Sequence, residues 1–445
     1  MAHQLPSVSY EEDAFHTLVH VCRRWRYIIF GSPRRLDLRL LCANKRLTKT
    51  LDIWQPELPI VIHVDDEEIC QLPSATNVIS MLKRNDRVCK IFIHNVPNSF
   101  LEKLATMAEP FPALIELELA SFDVNPPMLP DSFLGGSVPR LRSLDLWGVP
   151  FPAIGTLLSS TSDLVTLSLG FIPDSGFISP EAMVDLLSIL TRLKTLHLIF
   201  EIPQFWAHGA SRHPPVCPRV VLPALTDLNF SGDSEYLENI VSRIDAPLEF
   251  IAVTFSELEV DIPQLRDFIG RTKILDASHR ADTSFSYYEA SISLFKKKGD
   301  VDFKVLNLEI LCDISDSQVS SLAQACDRLL PPLPSLEHLG LYNPGYLSSV
   351  SRWKYEAENS QWIDLLRPFI TVKDLVLDRP LVLSVASALQ GFVLGQATEI
   401  LPVLQNIFLE GFQSSSPAPE GIARFIAARK LSGRPIIVYH REKEE

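Results

Sequence analysis

The chain has 445 residues, of which 46% are hydrophobic and 21% are charged, so it can bury a large core and is ordinary globular material. Its formal net charge of −13 argues against a protein that coats nucleic acid, because phosphate binding relies on a concentration of lysine and arginine. The sequence contains neither a C-x-x-C pair nor an apolar run long enough for a membrane helix. We therefore expect reduced, buried cysteines and a cytoplasmic or nuclear protein with no nucleic-acid or membrane partner.

The first predicted element is a helix that begins near Ser9. The stretch from Ser9 to Glu12 has the form of a capping box, and the break Gly31-Ser32-Pro33 stops the helix. Acidic residues begin the helix and arginines approach its end, which suits the helix dipole. Apolar residues recur at helical spacing and form one stripe that is predicted to be buried: Ala14, Leu18, Val21, Cys22, Trp25, Ile28 and Ile29.

The motif on this helix is more specific than its apolar stripe. The sequence LVHVCRRWRYIIFGSPRRLDLRLLC, residues 18–42, resembles the second half of an F-box, whose helices carry L-x-x-V-C-x-x-W-R before a break of small residues and proline. The continuation KTLDIWQPELPIVI, residues 49–62, resembles the large F-box family of mushroom-forming fungi, in which leucine-rich repeats follow. The resemblance implies an F-box-like helical segment over 1–50 and a connecting segment over 51–87 that caps the repeats.

This resemblance implies a role in protein ubiquitination. Such proteins are substrate-recognition subunits of cullin-type ubiquitin ligases: the F-box docks on a Skp-type adaptor of the cullin complex, and the repeats bind a target protein. An F-box opens with a further helix beginning L-P-x-E, where this chain has only MAHQLPSVS. We expect either that the gene model starts late or that half of the adaptor-binding surface is lost. The adaptor-binding residues carried over from the family are Leu18, Val21, Cys22, Trp25 and Arg26.

A repeated pattern, apolar-x-x-apolar-x-apolar, follows at a mean interval of about 29 residues. The six strong matches are PALIELEL at 112–119, PRLRSLDL at 139–146, SDLVTLSL at 162–169, TRLKTLHL at 191–198, PALTDLNF at 223–230 and PSLEHLGL at 334–341. Weaker matches begin at Val88, Leu248, Thr272, Phe303, Val372 and Leu404. The pattern is similar to that of leucine-rich repeats, in which one unit cannot bury its apolar face alone and must stack on its neighbours.

The predicted fold is therefore an α/β, irregular leucine-rich-repeat solenoid over 88–440, with a parallel concave sheet and outer helices. The F-box-like helical segment precedes it and a charged tail, 441–445, follows. Helices are expected between the strands, as in PEAMVDLLSILTRL at 180–193, where Ser179 is a plausible cap and Pro180 suits the first turn. The asparagine or cysteine that regular repeats carry after the last leucine is absent. We therefore expect an irregular arch with long loops at 200–221, 276–300 and 343–361.

Strand side chains alternate between two faces, so the residues between the buried leucines should point to the concave face. The aromatic-rich stretches at 203–220 and 343–362 are either recognition loops or insertions without a role. The lysine run FKKKGD, residues 295–300, is predicted to be a solvated loop in preference to a nucleic-acid patch. The candidates for target binding on the concave face are Asp145, Trp147, Ser168, His197, Asn229, His338 and Tyr342.

No sequence motif indicates catalysis. The G-x-S-x-G, G-x-x-x-x-G-K-[ST] and G-x-G-x-x-G patterns are absent. Glu12, His16 and His20 are spaced to share one helix face and could approach one metal ion, but solvated side chains are the preferred interpretation. The sequence thus predicts no enzyme, no catalytic residue, no metal and no cofactor. Two functions stay open: a ligase substrate receptor, or a leucine-rich-repeat protein-binding scaffold without ligase attachment.

Overall fold

The computed structural model shows an α/β protein built mostly from parallel strands and helices. It describes residues 22–24, 40–42, 59–64, 78–201, 219–256, 261–286, 288–312, 315–343, 359–391, 400–412 and 419–441. Contacts divide the chain into two compact units, Met1–Leu164 and Val165–Glu445. Within the residues described, no helix is long and apolar enough to cross a membrane.

The first unit contains a parallel sheet whose strands pair in chain order. Its described strands are β1 (Leu40–Cys42), β2 (Ile60–Val64), β3 (Val88–Ile93), β4 (Glu116–Ala120) and β5 (Ser143–Trp147). A helical turn over 78–82 lies between β2 and β3. The helices that follow are α1 (Asn98–Ala105), a 3-10 turn (Phe133–Gly136) and α2 (Ile154–Leu158).

Strand β5 shows how the repeat pattern produces this sheet. Leu144 and Leu146 are buried, whereas Ser143, Asp145 and Trp147 are half-buried on the other face. This period of two follows from the strand geometry. Burial of a leucine side chain contributes about 1.5–3 kcal/mol, so the alternation fixes which face meets the helices.

The second unit contains a sheet in the order β6-β7-β9-β11-β14-β13-β12-β15-β16-β17-β18, and β8 and β10 pair separately. Strand β13 runs antiparallel to both of its neighbours, and the other described pairs of this unit are parallel. The described strands are β6 (Thr166–Ile172), β7 (Thr195–Phe200), β8 (Val220–Val221), β9 (Asp227–Gly232), β10 (Ile244–Asp245), β11 (Phe250–Phe255), β12 (Ser278–Phe285), β13 (Glu289–Lys298), β14 (Val301–Leu311), β15 (His338–Tyr342), β16 (Asp374–Asp378), β17 (Asn406–Glu410) and β18 (Ile437–Arg441).

Helices connect the parallel strands of the second unit, and each packs against the next one in the chain. They are α3 (Pro180–Ile189), α4 (Ser234–Val241), α5 (Pro263–Thr272), α6 (Ser315–Leu329), α7 (Asn359–Leu366), α8 (Val382–Gly391) and α9 (Glu420–Leu431), with 3-10 turns at Asp174–Gly176 and Arg379–Leu381. The predicted cap of α3 is confirmed, because the Ser179 hydroxyl accepts a hydrogen bond from the Ala182 amide at 3.2 Å. The helix ends at Ile189, earlier than its sequence pattern suggested.

Aromatic side chains join these helices to one face of the sheet. Tyr236 of α4 packs against Phe200 of β7 at 4.7 Å between ring centroids and stacks on Phe230 of β9 at 6.0 Å. Trp362 of α7 meets Phe285 of β12 edge-on at 5.5 Å. Because strand side chains alternate, the residues between these aromatics point to the opposite face, which is polar.

The structure corrects one stretch of the predicted repeat. All six strong matches become strands, but the loop expected at 276–300 is wrong: this stretch contains β12 and β13. The weak match at Thr272 is also wrong, because Thr272 ends α5. Antiparallel strands need only short connections, so a hairpin fits where a parallel unit would need a long crossover. Of the other two expected loops, residues 202–218 and 344–358 lie outside the described residues, while 220–221 form β8 and 359–361 begin α7.

Candidate protein-binding face

Three of the predicted target-binding residues form one row in the second unit. Ser168 of β6 is aligned with His197 of β7, and His197 is aligned with Asn229 of β9. The row continues through Ala252 of β11 to Asn307 of β14. All five residues lie on the face opposite the leucines and phenylalanines that pack on the helices. We call this polar side of the second unit's sheet the polar face.

A hydrogen-bond network extends the row across β11, β13 and β14. The Ser293 hydroxyl donates to Asn307 Oδ1 at 2.7 Å, and Asn307 Nδ2 donates to Glu309 Oε1 at 2.7 Å. Thr254 Oγ1 donates to the other Glu309 oxygen at 3.0 Å. These partners hold the side chains in fixed positions, so a ligand that binds them meets a preorganised surface.

His338 and Tyr342 lie on β15 of the same face. Their cross-strand partners on β12 are Arg280 and Ser284. His338 Nδ1 lies 2.8 Å from Asp374 Oδ2 on β16. The two predicted residues therefore belong to the polar face, but they lie beyond the hairpin strands rather than directly beside Asn229.

The Tyr342 ring lies over Gly340, one strand period earlier. A Cβ added to Gly340 would come within 2.3 Å of ring atom Cε2, so only glycine leaves room for the ring in this position. Burial raises the pKa of Tyr342 above its usual value, with Asp282 adding to the rise. The effect of burial is opposed by the nearby positive charge of Arg280 on β12.

Arg280 and Asp282 form the ion pair at the centre of this part of the polar face. Arg280 Nε lies 2.9 Å from Asp282 Oδ1 and Nη2 lies 2.6 Å from Oδ2, a bidentate arrangement. Burial raises the pKa of Asp282 and outweighs the lowering by Arg280. The sequence pattern missed both residues, because β12 was taken as a loop. The alternation of Ala281, Thr283 and Phe285 was the available signal.

The first unit carries the other two predicted residues, Asp145 and Trp147, on β5. Asp145 is aligned with Glu118 of β4, and Trp147 is aligned with Ala120. Glu118 Oε1 lies 2.6 Å from His94 Nε2. Both predicted residues are half-buried on the polar side of this unit's sheet.

Most of the predicted adaptor site lies outside the described residues. Leu18, Val21, Trp25 and Arg26 are in that group, as are Glu12, His16 and His20. Cys22 is described and is exposed, so its predicted burial is wrong in the structure. Helical spacing shows which residues share a face but not what covers that face, which is the reason for the difference. Cys89, Cys312 and Cys326 are buried, and burial raises the pKa of the Cys326 thiol to about 12.

The fold and the polar face define an α/β protein with a preorganised surface of polar and aromatic side chains. In the portion of the chain that is described, no group of three histidine, cysteine, aspartate or glutamate residues is arranged to hold a metal ion. No protein-family model matches the sequence, and a search of curated proteins finds no match.

Proposed function

We propose that this chain is the substrate-recognition subunit of a cullin-type ubiquitin ligase. In this proposal the N-terminal segment docks on a Skp-type adaptor of the cullin complex. The remainder is an irregular leucine-rich-repeat solenoid that binds a target protein. The chain performs no catalysis of its own, and the ligase acts on the bound target.

The observation that carries target binding is the polar face. It combines aromatic and arginine side chains, as in Tyr342 and Arg280, with hydrogen-bonding groups held by their neighbours. Tyrosine and arginine are enriched among the residues that dominate protein–protein binding energy. Side chains already fixed before binding lose less conformational entropy when a partner arrives. A protein target therefore fits this face.

The repeat assignment is supported by neighbour-to-neighbour packing in the second unit. Helices α3 to α9 each contact the next helix in the chain. The sheet follows chain order apart from the hairpin strands β12–β14. This is the arrangement expected when each strand–helix unit buries its apolar side only by stacking on its neighbours.

The adaptor link is supported by the spacing L-x-x-V-C-x-x-W-R that ends with Trp25 and Arg26. The alternative is a repeat scaffold that binds a partner without ligase attachment. The polar face supports the ligase receptor and the scaffold equally, because target binding on the sheet needs no adaptor. The N-terminal segment separates the two functions.

A titration of purified Skp-type adaptor into the full chain tests the proposal. We expect Trp25→Ala to weaken adaptor binding by about 2 kcal/mol or more, because a large aromatic is a common binding anchor. Tyr27→Ala is the matched control, since Tyr27 is an aromatic neighbour outside the predicted apolar stripe. Circular dichroism verifies that each variant is folded. If the folded chain does not bind the adaptor even when an F-box first helix beginning L-P-x-E is added upstream, the ligase assignment is contradicted and the scaffold is left.

A further inference from the structure

The lysine run that the sequence suggested to be a loop is the end of a β-hairpin. Strands β13 and β14 are joined by a two-residue turn in which Gly299 has φ of 66°, a conformation that glycine adopts without strain. Lys296 is aligned with Phe303, and Lys298 is aligned with Val301. We call residues 295–304 the hairpin tip.

The hairpin tip extends past the strands on both sides of it. The pairing of β12 with β13 ends at Lys296, opposite Ser278. The pairing of β11 with β14 begins only at Leu306. Residues 297–304 are exposed and form a two-stranded ribbon that projects beyond its neighbours in the sheet.

One face of the ribbon combines lysines with apolar side chains. Strand alternation places Lys296 and Lys298 on the same face as Val301 and Phe303. Val301 is 57% exposed and Phe303 is 47% exposed. Lys298 Nζ lies 5.9 Å from the Phe303 ring centroid. The face therefore offers two cations beside an apolar surface.

The ribbon has two acidic residues: Asp300 lies in the turn, and Asp302 belongs to the other face. Asp302 lies 3.4 Å from Arg280 Nη1 and 3.2 Å from His279 Nε2, so its charge is engaged on the polar face. Lys304 donates to Asn307 on that face as well. Within the described part of the chain, Lys296 and Lys298 form no ion pair. In a chain of net charge −13, these are cations available to a partner.

We propose that the Lys296–Lys298–Val301–Phe303 face of the hairpin tip docks an acidic polypeptide segment that carries apolar residues between its carboxylates. Carboxylates of such a segment complement the lysines, and its apolar side chains cover Val301 and Phe303. The proposal is independent of the ligase assignment. Two features favour a polypeptide over nucleic acid: the small number of cations, and the lysine that already lies against the Phe303 ring.

Edge lysines also have a protective role, because charge discourages strand edges from pairing with other chains. The test must separate that role from docking. The variant Lys296→Glu/Lys298→Glu keeps the edge charged but reverses its sign. The matched control is Lys83→Glu/Lys103→Glu, which makes the same charge change at exposed lysines of the first unit.

The probe is a fluorescent peptide of alternating glutamate and leucine, titrated with the full chain and followed by fluorescence anisotropy. We expect binding that weakens with added salt. The affinity for the peptide should fall by about tenfold or more in the Lys296→Glu/Lys298→Glu variant and should be unchanged in the control. Phe303→Ser should also weaken it, at an unchanged melting temperature. Absence of binding, equal binding by all variants, or tighter binding of single-stranded oligonucleotide or phosphatidylserine vesicles would overturn the proposal.

Discussion

Tyr342 shows how one small residue can organise the polar face. Its ring occupies the space above Gly340, and its strand β15 pairs with β12, which carries Arg280. A glycine inside a strand normally weakens it, because glycine loses more backbone entropy and packs no side chain. Here the absence of a Cβ leaves room for an aromatic side chain on the polar face.

The first prediction follows from this contact. Gly340→Ala should destabilise the protein by about 1–3 kcal/mol, because the new methyl group overlaps the tyrosine ring. The same change should cost less in a Tyr342→Ala background, where the ring is gone. Urea denaturation of the four proteins in this double-mutant cycle measures the coupling.

Gly270→Ala is the matched control for the glycine substitution. No atom lies within 4 Å of the position that a Cβ would take at Gly270, in helix α5. Alanine should therefore be neutral or stabilise by up to about 1 kcal/mol there. If Gly340→Ala lowers the free energy of unfolding equally with and without the tyrosine ring, overlap with the ring is not the cause.

Individual face residues could be predicted only where the strand register was clear. The spacing of Ser168, His197 and Asn229 from their preceding leucines is the same, so one register placed all three in a row. Arg280 and Asp282 were missed because their strand lacks leucines: Ser278 and Thr283 are among its buried residues. Buried polar residues hide a strand from any search for apolar repeats.

Among the helices, α5 is capped by a side chain of the helix before it, α4. Its cap position is Ile262, which offers no side-chain acceptor. Glu238 of α4 supplies both acceptors instead: Oε2 lies 2.8 Å from the Gln264 amide and Oε1 lies 2.7 Å from the Leu265 amide. These amides are among the donors that a helix start leaves unsatisfied. One carboxylate thereby ties two successive helices together.

This contact predicts a pH dependence of stability. Burial raises the pKa of Glu238 from 4.5 to about 7, although the two amides lower it. The folded state therefore holds this proton more tightly than the unfolded state. The contribution of Glu238 to the free energy of unfolding should be largest below the unfolded pKa and should fall as the pH rises through about 7.

Urea denaturation at about pH 5 and about pH 8 measures this effect. Glu238→Gln should reduce the loss of stability between the two conditions, because glutamine does not titrate. Glu235→Gln, at an exposed position of the same helix, serves as the control and should leave the loss unchanged. If Glu238→Gln loses as much stability between the two pH values as the wild type does, other groups cause the loss.

Which elements could be predicted from the sequence depended on how each strand is buried. Strands with two buried leucines, such as β5 and β7, stood out in the repeat pattern. Strands β12 and β13 did not, because they follow a plain alternation, such as Ala290, Ile292 and Leu294, without the preceding leucine. Strands β1 and β2 precede the first match at Val88 and were also missed.

For the whole molecule, the proposed repeat array predicts which strands lose stability when one buried residue is replaced. Leu144 is fully buried in β5 and is aligned with Leu117 of β4. Leu144→Asp buries an unpaired charge and should cost several kcal/mol, on the order of 3 or more. If each unit is stabilised by its neighbours, the loss should be greatest in the flanking strands.

Hydrogen exchange measures this spread directly. Amides of β4 and β5 should lose protection in Leu144→Asp, whereas those of β16 and β17, far along the chain, should keep it. Leu146→Met, a nearly volume-conserving change at another buried leucine of β5, is the control and should leave protection unchanged. A uniform loss of protection throughout the chain would contradict nearest-neighbour coupling.

The proposed role of this chain, connecting a target to a cullin-type ligase, can be measured in a reconstituted ubiquitination reaction. The full chain would be incubated with Skp-type adaptor, cullin–RING complex, activating and conjugating enzymes, ubiquitin and ATP. With no target present, the exposed lysines of the chain itself should become ubiquitinated. This modification should require the adaptor and should be strongly reduced in Trp25→Ala but not in Tyr27→Ala. Modification that proceeds equally without the adaptor would contradict the proposed role, and so would its absence from a folded chain that carries an added F-box first helix in the complete mixture.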